Sequence, residues 1–325
     1  MLFALIVLAL AFAFLNGFND SSAIVAPVIS TRAMPSRRAL ILTAVSQFIG
    51  PFIFGTAVAI TIGQGLLRVA KLEPEVAVAA LIGAVAWSLV TWGLGIPSSS
   101  THALVGGLLG AAALWAGWSV VRVDGLIKIL ASLLLSPPLG LLFGFLVVRL
   151  TLWFTRQATP GVSETFRRLQ VVTLVALGLS HGTSDAPKTM GVITLGLLAA
   201  GRLEAFAVPW WVKLISVAAF ALGTSMGGWR QIRTLGGRIF RIRPVHGFSA
   251  LAGGAAVVLG AGLSGGPIST SQVLASAIMG AGAGERVNQV RWLIARDMLT
   301  AWVLTIPAAA ALAAAALEVL RRLGH

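Results

Sequence analysis

Apolar runs fill this chain, at about 1 to 30, 39 to 62, 76 to 94, 98 to 117, 126 to 154, 169 to 199, 206 to 226, 245 to 263, 268 to 283 and 290 to 320. Most suit helices of roughly 20 residues, the length that crosses the hydrocarbon core of a bilayer. Ten helical runs do not require ten crossings. Only GIPSSSTH separates the run at 76 to 94 from the next. Polar, non-helical backbone is tolerated at membrane depth only where it lines a cavity. The pattern therefore predicts a re-entrant helical hairpin over 76 to 117, and a second over 245 to 283, where GGPISTSQ separates the arms.

The two hairpins are spaced as copies. Pro97 and Pro267 lie 170 positions apart, and Ser99, Ser100, Thr101 and His102 then fall opposite Ser269, Thr270, Ser271 and Gln272. Pro137 and Pro307 keep the same offset, while Asp20 and Asp185 differ by 165. This predicts an all-α polytopic membrane protein of two units, 1–154 and 169–325, joined by a cytoplasmic linker at 155–168. Three crossings and one hairpin per unit make the count odd, so the second unit enters the membrane inverted. With the N-terminus outside, inner segments hold most of the arginines, among them Arg32, Arg37, Arg38, Arg149, Arg156, Arg167, Arg168, Arg230, Arg233 and Arg243. Outer ends keep mainly Arg68, Lys71, Arg122, Lys128, Arg202, Arg321 and Arg322. The bias of positive charge toward the cytoplasm then favours inverted repeats with both termini outside a cell membrane.

Composition agrees. Hydrophobic residues make up 57% of the chain and charged residues 10%, a balance that excludes a soluble domain of this size. The net charge of +14 sits in short loops without interleaved aromatic platforms, so topology explains it better than nucleic acid does. With no cysteine, disulfides and thiol chemistry are excluded. Met1 to Leu15 has no basic lead and reads as a span, not a signal peptide.

Against this background the acids stand out. Asp20 and Asp185 lie inside apolar runs, where a charge costs about 2.5 to 3.5 kcal/mol even on the gentler insertion scale. The default reason for such residues is an ion or substrate site. Around them, NGFNDSSA and SHGTSDAPK combine glycine with capping side chains, which predicts that the first helix of each unit is broken there. Carboxylate and carbonyl oxygens suit a hard cation or a proton. The PSSST and PISTS tips offer hydroxyls and free amides at helix N-termini, which attract anions. Lys188 either pairs with an aspartate or contacts the anion. His102 and His181 read more simply as packing histidines than as proton carriers, Asp297 as an interfacial partner of Arg296, and the tryptophans as belt residues.

These residues resemble the inorganic phosphate transporter (PiT) family, and its bacterial members in particular. The likeness rests on NGFNDSSAIVAPVISTRAM, GIPSSSTHALVGGLLGA, SHGTSDAPKTMGVITLG, GGWRQIRTLGGRI and GGPISTSQVLASAIMGAG, spread over both halves. The resemblance implies alternating-access import of inorganic phosphate coupled to a cation, the proton favoured over sodium. By motif, Asn19, Asp20, Ser184 and Asp185 would handle the cation, with sodium, if used, at Asn19, Asp20 and Asp185. Ser99, Ser100, Thr101, Ser269, Thr270 and Ser271 would hold the phosphate, with Ser21, Lys188, His102 and Gln272 as accessories. The chain departs from the family in Ser184, where Asn is usual, and Pro187, where Gln is common; the long hydrophilic central loop of many relatives is absent. No cofactor is expected. The partners implied are phosphate and the lipid bilayer, with a homodimer left open. Sulfate or another tetrahedral oxyanion is the alternative substrate. An anion channel or an intramembrane enzyme ranks below these, the latter because the sequence shows no His/carboxylate metal cluster at helical spacing.

Overall fold

The computed structural model describes residues 1–68, 72–94, 98–157, 161–227 and 242–323, apart from the side chains of Ile294, Ala295, Asp297 and Met298. Lys71, Pro97, Arg230, Arg233, residues 228–239 of the GGWRQIRTLGGRI motif and the Asp297 side chain therefore lie outside the described residues. What is described is helical: α1 (Leu2–Ser30), α2 (Ser36–Phe54), α3 (Ala57–Ile60), α4 (Pro74–Leu94), α5 (Ser100–Ala116), α6 (Val123–Phe154), α7 (Val162–Ala199), α8 (Trp210–Met226), α9 (Pro244–Leu263), α10 (Thr270–Glu285) and α11 (Trp292–Leu323). Each apolar run of the sequence is matched by helix. The end of the expected linker is helical too, because α7 begins at Val162 and not at 169.

Among the described residues, five helices are long and apolar enough to cross a membrane, α1, α4, α6, α9 and the Leu299–Leu323 part of α11, with α2 and the bent stretch Ala57–Gly65 a sixth if they form one span. Their outward faces carry bare apolar side chains such as Leu134, Leu135 and Val303, which only lipid would cover at low cost.

The expected breaks in the first helix of each unit are not there. α1 runs unbroken through Gly17 and Asp20, and α7 through Gly182 and Asp185. The reason is local satisfaction: Ser21 and Ser22 donate to the carbonyls of Phe18 (2.7 Å) and Asn19 (2.8 Å), so their hydroxyls close on their own helix and cap no new one. Glycine serves contact here. A Cβ on Gly17 would lie 2.1 Å from the Phe220 carbonyl oxygen, and one on Gly182 2.1 Å from that of Gln47. Pro187 stays inside α7, where every residue from Ser180 to Leu197 is buried; packing on all sides offsets the roughly 3 kcal/mol that an interior proline costs.

A break occurs in the second run instead. α2 ends at Gly55, in a left-handed conformation with φ of 89°, whose N–H donates to the Pro51 carbonyl. The chain resumes in α3 and a wider turn over Thr61–Gly65, bent by 77°. Gly50, Pro51 and Gly55 are the local cause.

The helices meet in two matching sets. α1 packs on α8 as α7 packs on α2; α6 packs on α10 as α11 packs on α5. α4 and α5 lie against each other as α9 and α10 do. Two apolar cores result, one built mainly of α1, α3, α4, α5, α7 and α8 residues and one mainly of α1, α9 and α10 residues, so that α1 and α7 contribute to both.

Candidate functional site

α7 carries the chemistry on one face. His181, Asp185 and Lys188 follow one another at steps of four and three, the spacing that stacks side chains along a helix, and all three are fully buried. His181 Nε2 and Lys188 Nζ both contact the Asp185 carboxylate. From α1, Asp20 reaches the same imidazole, its Oδ2 3.7 Å from Nε2. Ligand atoms of Asp20, His181 and Asp185 all lie within 4.8 Å of one another. A His/carboxylate cluster, not legible at one helical spacing in the sequence, is thus present and split between two helices. Read as a packing histidine, His181 instead joins the two aspartates.

The ring is held from its other side. Gln47 Nε2 lies 2.6 Å from His181 Nδ1, and Gln47 Oε1 accepts from Thr224 Oγ1 at 2.6 Å. α2 and α8 therefore orient an imidazole on α7. Neither Gln47 nor Thr224 was singled out from sequence. The available signal was a polar amide inside an apolar run.

The two hairpin tips close over Lys188. Its ammonium donates to Thr101 Oγ1 (2.5 Å) at the start of α5 and to the Ile268 carbonyl (2.9 Å) just before α10. Thr101 Oγ1 also donates to that carbonyl at 2.7 Å. Ser99 caps α5 by accepting from His102 N–H at 3.2 Å, and its hydroxyl lies 2.7 Å from His102 Nδ1. Gln272 Nε2 stands 3.4 Å from the same nitrogen, and Ser269 and Ser271 hydroxyls are 3.3 Å apart. Of the expected anion-binding set, Ser99, Thr101, Ser269 and Thr270 are buried at the tips, while Ser100 and Ser271 are half-buried. Lys188 thus pairs with an aspartate, one of the two readings left open.

Several buried atoms here have no hydrogen-bond partner among the described residues: the Asn16 amide, Asn19 Oδ1, Ser184 Oγ, Thr189 Oγ1 and Thr270 Oγ1. Each unsatisfied group costs about 1–3 kcal/mol. They cluster within about a turn of the two aspartates or at the second tip, so the cost falls where a polar guest would relieve it. On a formal count of two carboxylates, one ammonium and a neutral imidazole, the buried group is one positive charge short. A single added cation or proton balances it.

A family model described as "Phosphate transporter family" matches residues 16–313. The chain belongs to the phosphate transporter family. It is 43% identical to a protein of Rhizobium meliloti named "Probable low-affinity inorganic phosphate transporter", over 97% of this chain and 95% of that one. A Bacillus subtilis protein of the same name is also 43% identical, covering 97% and 96%. Among solved structures, one titled "The sodium-dependent phosphate transporter" superposes with a TM-score of 0.89 over 98% of both chains, at 24% identity. These relatives are transporters, and this chain is a multi-pass helical member of their family and not an enzyme. At 24% identity the structural likeness establishes the fold.

Proposed function

We propose that this chain imports inorganic phosphate together with a cation, a proton in preference to sodium, by alternating access. The carrying observation is the meeting of two Ser/Thr-rich helix starts with a buried cluster of Asp20, His181, Asp185 and Lys188, which on a formal count with the imidazole neutral is one positive charge short. Helix N-termini present amides and a positive dipole end to an anion, and the carboxylates hold the cation that makes joint occupancy favourable. Phosphate still carries a proton near neutral pH and can donate it to a carboxylate, which sulfate cannot; Asp20 is the acceptor on this reading. The names of the two bacterial relatives support the substrate.

The matched helix pairings support two inverted units that rock about the site, with α4–α5 and α9–α10 as re-entrant hairpins and both termini outside. The test is labelled phosphate uptake into proteoliposomes with inward proton and sodium gradients imposed separately. Accumulation driven by the proton gradient and insensitive to excess sulfate is the expected result. Accumulation only with sodium overturns the ion, and sulfate competition overturns the substrate.

A further inference from the structure

Lys188 is fully buried, and its ammonium is met by three kinds of oxygen at once: the Asp185 carboxylate, the Thr101 hydroxyl at 2.5 Å and the Ile268 carbonyl at 2.9 Å. A lysine in a membrane span ordinarily stretches its head toward the interface. This one reaches inward, and its surroundings are those that hard cations select, oxygen donors of mixed type drawn from separate elements. From this we infer that Lys188 is a tethered cation: its ammonium permanently fills one of two equivalent cation positions, and only the position at Asp20 exchanges a free cation or proton. The inference deepens the transport reading and rests on it for its consequence in uptake, though not for its consequence in cation binding.

The internal repeat supplies an independent observation. The 165-residue spacing sets Asp20 opposite Asp185 and Ala23 opposite Lys188. The 170-residue spacing sets Ser271 opposite Thr101 and Ser98 opposite Ile268. By these spacings the counterparts are the Asp20 carboxylate and Ser98 carbonyl of the first unit and the Ser271 hydroxyl of the second, while the arm that carries the ammonium is cut back to a methyl group. The Asp20 side must draw its positive charge from solution, and the Asp185 side never does. One exchangeable cation per cycle follows from this asymmetry, where two symmetric positions would take two.

The experiment compares wild type with Lys188→Ala, which empties the cage and leaves its oxygens, and with Lys188→Met, which fills it without charge. Thermal unfolding of the purified proteins is followed in choline, sodium and ammonium chloride at equal ionic strength. Sodium or ammonium is expected to raise the Tm of Lys188→Ala by more than that of wild type, and to leave Lys188→Met no more responsive than wild type. In proteoliposomes, phosphate uptake by Lys188→Ala should be lost in choline and recovered with sodium or ammonium, with no recovery in Lys188→Met. An alanine variant indifferent to both cations, or a methionine variant rescued by them, overturns the inference. If Lys188→Ala folds only when prepared in ammonium, that recovery supports the tethered cation; failure in every salt overturns it. Wild-type liposomes that take up no phosphate would sink the transport reading, while the Tm comparison still decides the cage.

Discussion

Asp20 and Asp185 look alike in sequence and differ in company. Asp185 is clasped by Lys188 and His181 on its own helix, whereas Asp20 pairs, among the described residues, with the imidazole at 3.7 Å. Replacing them should have different results. Asp185→Asn strands a buried ammonium and is expected to lower folding stability by about 3–5 kcal/mol, read as a fall in Tm. Asp20→Asn removes the exchangeable charge and should leave Tm near wild type while abolishing accumulation of phosphate against a gradient; accumulation that survives it removes Asp20 from the coupling site. Gln47→Leu deprives both His181 Nδ1 and Thr224 Oγ1 of their partner. A loss of about 1–3 kcal/mol is expected, with uptake reduced as the ring loses its orientation. The aspartates were legible because a charge in an apolar run is costly wherever the run folds. His181, Gln47 and Thr224 were not, because an imidazole or an amide in a helix looks the same whether it faces a neighbour's backbone or a carboxylate.

Among the elements, the helix boundaries followed hydropathy closely, and the breaks did not. NGFND and SHGTSD contain the residues that start helices, yet both stretches are continuous helix, because serine hydroxyls back-bond to their own turn and glycines sit against carbonyls of a crossing helix. Glycine at positions 17 and 182 therefore marks close approach. Gly17→Ala and Gly182→Ala would each place a Cβ 2.1 Å from a backbone oxygen and are expected to cost about 1–3 kcal/mol as the helices are forced apart. Gly93→Ala in α4 has nothing within 4 Å of the added Cβ and should leave Tm unchanged or slightly raised. Thermal unfolding of the three variants side by side is the check; equal Tm values would mean that these contacts do not hold α1 to α8 and α7 to α2.

At the scale of the whole molecule, orientation in the membrane is open to direct measurement, since the chain has no cysteine. Single cysteines at exposed Ser119 and Glu204 should react with an impermeant maleimide on intact cells, and one at exposed Gln157 only after permeabilisation. The opposite pattern would turn the molecule over. The sequence by itself determined the membrane class, ten helical runs, the two acids within them and the spacing of one half upon the other. All of these follow from hydropathy and periodicity, which each stretch of chain carries within itself. Only the tertiary structure decided that α1 and α7 stay whole, that His181 bridges two aspartates, and that Lys188 turns inward to the oxygens of both hairpin tips. Those outcomes depend on how closely glycine lets helices approach and on which partner lies across the gap. His181 and Gln47 stand 134 positions apart, Lys188 and Ile268 80, and no local pattern encodes such pairings.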